Sequence, residues 1–127
     1  MIKISHESPI SMLEISRTYN DYDYALVHLF ETNPDYFNFF KESLKQGRTV
    51  LLDNSIFELG QAFDTVKYVD WINKLQPTEY IIPDVLEVCD ETIHSAKKWM
   101  NSTAYHVHTY SRRIGVVQGA EEFTLHF

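Results

Sequence analysis

Two aspartates each stand at the end of a short apolar run. Asp53 follows Val50-Leu51-Leu52, and Asp84 follows Tyr80-Ile81-Ile82-Pro83. Histidines occupy comparable places, His6 after Ile2–Ile4 and His28 near the end of Tyr24–Leu29, while Gln118-Gly119 follows the run that starts at Arg113. A carboxylate can take or give a proton, or accept from N–H groups; an imidazole can do either, and a glutamine amide can donate to a carbonyl oxygen. Together they make an acid–base or base-binding set. Each also has an ordinary structural use. Aspartate readily caps the turn that follows it, which serves for Asp53 and Asp84 alike. His6 and His28 can be structural histidines, and Gln118-Gly119 can be a plain strand-to-helix turn.

Other candidates carry less. His106-x-His108 puts two imidazoles on one side of an extended segment, but no nearby Cys or acid completes the three or four ligands a zinc site takes. No metal site is therefore assigned. Cys89 has no base at fixed spacing and reads as a small buried residue. There is no phosphate-binding glycine loop and no Ser-His-Asp pattern.

The elements that must hold these residues follow from apolar spacing and punctuation. Strands are expected at Ile2–Ile4, Tyr24–Leu29, Thr49–Leu52, Glu79–Ile82 and Arg113–Val117. Between them, Ser8-Pro9 opens a helix to about Thr18, with Ile10, Leu13 and Ile15 on its apolar face. Asn33-Pro34 starts a helix that buries Tyr36, Phe37, Phe40 and Leu44 and ends at Gly47. Asp64 caps a helix through Leu75 with Val66, Val69, Ile72 and Leu75 inward, and Pro77 ends it. Asp90 caps another helix to about Met100, and Ala120–Phe127 begins one more. The loop Asn54–Phe63 is long for a plain connection, and long loops in compact domains are often functional.

Strand starts at 2, 24, 49, 79 and 113 lie 22 to 34 residues apart, the spacing of repeated βα units with a parallel sheet. The fold class expected is α/β. An open doubly wound sheet and a partial (β/α)8 TIM-type barrel both fit. The absence of any G-x-G-x-x-G favours the barrel, of which a complete copy takes about 250 residues. The chain of 127 residues is then one domain holding about the first five βα units. In a barrel, His6, His28, Asp53, Asp84 and Gln118 share the face where the strands end.

Composition narrows the class. Aromatic residues make up 14% of the chain, enough to build a core and argue against disorder. No apolar run approaches the roughly 20 residues of a membrane span, and MIKISHESP lacks a signal-peptide core. A single cysteine suits a reducing, cytoplasmic setting. The net charge of −7 argues against strong nucleic-acid binding by this chain alone. Its basic pairs, Lys97-Lys98 and Arg112-Arg113, read as solvated flanks.

Three of these segments together resemble one family. Ile114–Gly119, I-G-V-V-Q-G, is similar to the G-[IV]-V-Q-G segment of tRNA-guanine transglycosylases (queuine tRNA-ribosyltransferases). Val50–Glu58, with Asp53 and Phe57, resembles the strand and D-S-G-G-F-Q motif of that family, and Ile81–Glu87 resembles the strand ending in its second aspartate. H-E-S-P at His6–Pro9 and L-L-D-N-S-I-F-E-L-G at Leu51–Gly60 look most like the short phage-type members that insert 7-deazaguanine into DNA.

The resemblance implies a pentosyltransferase that replaces guanine by a 7-deazaguanine in tRNA or phage DNA, through a covalent intermediate. It implies Asp53 as the general acid/base and Asp84 as acceptor for the N–H edge of the base. Gln118 would donate to the base carbonyl, Gly119 would allow close approach, and Phe57 would line the base. It places the nucleophilic aspartate and the zinc ligands beyond Phe127, so no cofactor is expected in these residues, and nucleic acid would be gripped by a later part. The chain would lie in the host cytoplasm if phage-encoded. One departure is local: Ser55 and Ile56 stand where the motif has two glycines. Two rivals remain. One is an unrelated barrel hydrolase using Asp53 and Asp84. The other is a degenerate or homodimeric half-barrel that binds a base without catalysis.

Overall fold

The computed structural model describes residues 3–5, 7–61, 63–82 and 111–115. In chain order they form a 3-10 turn at Ile10–Met12, then α1 (Leu13–Tyr19), β1 (Asp23–Leu26), α2 (Val27–Phe30) and α3 (Pro34–Lys45). β2 (Val50–Asp53), α4 (Ile56–Leu59), α5 (Thr65–Leu75), β3 (Glu79–Ile81) and β4 (Arg112–Ile114) follow.

The four strands make one sheet in the order β1-β2-β3-β4, and every neighbouring pair is parallel. The expected α/β class with a parallel sheet is thus present. Residues of α1, α2, α3 and α5 (Leu13, Phe30, Tyr36, Phe40, Tyr68, Ile72, Leu75) share one core with Ala25, Val50, Leu52, Tyr80 and Ile82. The strand register puts Ala25 beside Leu52 and Leu52 beside Tyr80, so these side chains leave one face of the sheet. Tyr24, Leu26, Leu51, Asp53 and Ile81 leave the other. The helical core therefore covers one face, and Asp53 belongs to the opposite one.

Local chemistry explains the best-formed helices. The Asn33 side chain accepts from Tyr36 N at 3.0 Å, Pro34 supplies the first helical residue of α3, and Gly47 leaves it at φ +80. Asp64 caps α5 through Lys67 N at 2.9 Å. Tyr68 ties that helix to the sheet, donating to Ile81 O at 2.5 Å and Leu52 O at 3.4 Å, on neighbouring strands.

A buried charge cluster fixes the start of β1. Asp23, 3% exposed, accepts from Arg48 Nε at 3.0 Å and Arg48 Nη2 at 2.9 Å. Arg17 stacks on Phe39, its guanidinium carbon 3.9 Å from the ring centre, and donates to Phe39 O and Ser43 Oγ.

Several expectations are corrected. Lys3–Ser5 do not form a strand; they lie beside the approach to β1, where Ile4 N donates to Asp21 Oδ2 at 2.7 Å and Ser5 Oγ to Tyr22 O at 2.6 Å. The helix expected from Pro9 opens as a 3-10 turn, with Met12 N bonded to Pro9 O, and Ser8 does not cap it but pairs with Ser16 Oγ. Ile10 and Ile15 are exposed, leaving Leu13 as the buried anchor. The strand expected over Tyr24–Leu29 stops at Leu26, because the Tyr36 hydroxyl accepts Leu26 N–H and Ser55 Oγ accepts His28 N–H, and the chain turns into α2. The loop after Asp53 contains α4. In α5, Val66 is 74% exposed, and Tyr68 takes the inward place. The strand expected over Arg113–Val117 is found as β4 from Arg112 to Ile114 and stops before Gly115; residues 116 and 117 and the expected Asp90 helix lie outside the described residues.

Candidate functional site around Asp53

Parallel strands end together, so their C-terminal residues and the following turns meet at one edge. Asp53 closes β2 with Leu26, the last residue of β1, as its register partner. Tyr24, two residues upstream of Leu26, projects from the same face. Its hydroxyl donates to Asp53 Oδ2 at 2.7 Å. The backbone N–H groups of Asn54 and Ser55 also act on the Asp53 carboxyl, in the direction that favours its charged form. Asp53 also faces two other acids, Glu7 and Glu58.

These surroundings oppose one another. Burial first, and the Glu58 charge second among the raising causes, push the Asp53 carboxyl above its usual range. The Tyr24 hydroxyl and the two backbone N–H groups pull it back, and burial still prevails. Glu7 is raised as well, by burial first, then by the charges of Glu58 and Asp53 and a hydrogen bond with Glu58. The Tyr24 phenol is held protonated, mostly by burial and then by its bond to Asp53. Asp53 and Glu7 thus hold a proton more tightly than ordinary carboxyls, and a carboxyl group delivers a proton from its protonated form.

His28 reaches this edge by a different route from the expected one. It sits in the first turn of α2 rather than at a strand end. Its Nδ1 lies 2.7 Å from Ser55 Oγ, and its backbone N donates to the same oxygen at 3.2 Å. Ser55 is fully buried and holds a left-handed conformation, φ 63 and ψ 24. Asn54 Oδ1 accepts from Ile56 N at 3.2 Å, which helps start α4.

Asp53 and His28 are thereby joined through Ser55. Phe57 lies in the backbone of α4, while its side chain is not among those described. His6, Asp84, Gln118 and Gly119 lie outside the described residues, as do Cys89, His106, His108 and the Lys97-Lys98 pair. Among the described residues no group of three His, Cys, Asp or Glu side chains could hold a metal ion. No helix among them is long and apolar enough to cross a membrane.

Tyr24, Glu7 and Ser55 were not singled out by residue type and spacing. Tyr24 is found only through the strand register, and Glu7 only through the chain returning to the sheet edge. Ser55 carried one signal, since it stands where the resembled motif has a glycine, and its positive φ is a glycine-type conformation.

No protein-family model matches the chain, and neither a curated protein nor a solved structure matches it.

Proposed function

We propose that the edge around Asp53 belongs to a base-exchange glycosyltransferase of the tRNA-guanine transglycosylase type, and that these residues recognise the base. The observation that carries this reading is Asp53 itself. It is a partly buried carboxyl at the end of a parallel strand, its pKa raised chiefly by burial, and Ser55 follows it in the backbone conformation a glycine would adopt. The order β1-β2-β3-β4 and the helical core on one face support a partial (β/α)8 barrel over a doubly wound sheet, whose helices cover both faces.

In this reading the N-glycosidic bond breaks as an aspartate from a later strand attacks the anomeric carbon. The departing guanine nitrogen takes a proton, and neutral Asp53 supplies it. The incoming 7-deazaguanine then gives its N–H proton to the Asp53 carboxylate as its nitrogen displaces the enzyme's ester. Asp84 would accept from the N–H edge of the base, and Gln118 would donate to its carbonyl with Gly119 close by. Phe57 would line the ring and His28 would stand at its margin. The polynucleotide, tRNA or DNA, would be held by other residues, since this chain carries a net charge of −7. A reducing cytoplasm suits its one cysteine.

The test is base binding by the whole protein. Calorimetric titration with 7-deazaguanine should show binding that Asp84→Ala abolishes; unchanged binding by that variant would remove the site assignment.

A homodimeric base-binding half-barrel is the second reading. Met12, Ile15 and Tyr19 favour it, recurring at helical spacing and 47%, 56% and 79% exposed. Sedimentation that shows a monomer at all concentrations would remove it.

A further inference from the structure

Ser55 makes its side-chain hydrogen bonds to one residue. Its Oγ receives the backbone N–H of His28 at 3.2 Å and lies 2.7 Å from His28 Nδ1. The hydroxyl is fully buried, and its own hydrogen needs an acceptor. Among the described residues Nδ1 is the acceptor within reach, so the hydroxyl donates to the ring. An imidazole that accepts at Nδ1 and is neutral carries its proton at Nε2. Nε2 itself has no partner among the described residues, and the ring is only half-buried.

The same serine stands two residues after the acid. Its backbone N–H acts on the Asp53 carboxyl in the direction that favours its charged form, while its side chain, on a left-handed backbone of φ 63, engages His28. One rigid turn therefore sets both a carboxyl group and an imidazole at one strand edge.

We propose that Ser55 is a positioning residue that locks His28 in its Nε2–H form, making His28 a fixed hydrogen-bond donor for an acceptor atom of the bound base. The acceptor is a carbonyl oxygen or an unprotonated ring nitrogen. The ligand half of this inference rests on the base-binding reading given above; the tautomer half does not.

Long-range proton–nitrogen NMR correlation of the imidazoles tests it in the full chain at about pH 8, above the reference pKa of a free imidazole. Loss of signals in His28→Gln assigns the ring. The wild-type His28 pattern should be that of the Nε2–H tautomer alone. Ser55→Gly relieves the positive φ, which offsets part of the cost of losing the acceptor for His28 N–H, and should keep the fold with a modest fall in Tm, while His28 becomes a mixture of tautomers. Affinity for 7-deazaguanine and guanine should fall about tenfold in Ser55→Gly and in His28→Leu, the worth of about one hydrogen bond. His28→Gln, whose amide N–H can replace Nε2–H, should stay within about threefold of wild type. An Nδ1–H or averaged His28 in the wild type, or an unchanged tautomer in Ser55→Gly, would overturn the lock. A locked tautomer with no binding of either base by the wild type would overturn the ligand half and the base-binding reading together, and leave the lock established.

Discussion

The Tyr24 hydroxyl donates to Asp53 Oδ2 at 2.7 Å, linking a residue near the start of β1 to the C-terminal residue of the neighbouring parallel strand β2. The bond favours the charged carboxylate, against burial and Glu58, which favour the neutral acid. Tyr24→Phe keeps the ring and removes the donor. The Asp53 pKa should then rise further, read directly from its carboxyl carbon in an NMR titration. The fold should lose about 1 kcal/mol, the typical net worth of one such bond. A fall in the Asp53 pKa would contradict the arrangement.

The raised carboxyl also makes stability depend on pH. A group whose pKa is higher in the folded chain binds more protons there than in the unfolded chain. Its contribution is complete below the ordinary carboxylate range and is lost as the pH rises through the raised folded value. Urea unfolding of wild type and Asp53→Asn, compared at several pH values between about 7 and 4, isolates the Asp53 part. The stability difference should move in favour of the wild type as the pH falls. Movement in the other direction would mean that the hydrogen bonds to Asp53 outweigh its burial.

At the start of β1, next to Tyr24, Asp23 is buried against Arg48 and near Arg17, whose Nε lies 3.9 Å from Asp23 Oδ2. Asp23→Ala would leave Arg48 without this counter-charge and Arg17 with the exposed Glu14, 3.7 Å away. The expected cost is about 3 kcal/mol in urea unfolding, because a partly buried charge loses its partner. Arg48→Met should cost at least as much, because it leaves the more buried Asp23, 3% exposed, with Arg17 at 3.9 Å as its counter-charge among the described residues.

Tyr68 offers a cleaner test of how α5 is held. Its hydroxyl reaches carbonyls of both β2 and β3, so Tyr68→Phe should cost about 1–2 kcal/mol without changing packing volume. The loss should show in thermal unfolding, with little change in 7-deazaguanine binding, since the hydroxyl belongs to the helical face of the sheet.

The features that could be read from residue order were those encoded within a few residues. Asn33-Pro34 and Gly47 bracket α3, Asp64 opens α5, and Val50–Leu52 running into Asp53 marks a strand end, as found. The rest depends on partners distant in the chain. β1 turns into α2 at Val27 because a hydroxyl from α3 and another from the turn after β2 take its N–H groups. In α5, Val66 is apolar by type yet faces solvent, and Tyr68 faces inward, its buried hydroxyl provided with two backbone acceptors. Asp53 was legible as a strand-end acid. Its partners Tyr24 and Glu7 were not, since register and the path of residues 3–9 are set by tertiary contacts.

The most direct measurement is NMR titration of the full chain with 7-deazaguanine, guanine and adenine in parallel. The two guanine-like bases should bind and shift the resonances of Asp53, Tyr24 and His28, while adenine, which lacks their carbonyl and N–H edge, should not. Equal response to adenine, or guanine-induced shifts that bypass these three residues, would contradict a guanine-recognising edge built around Asp53.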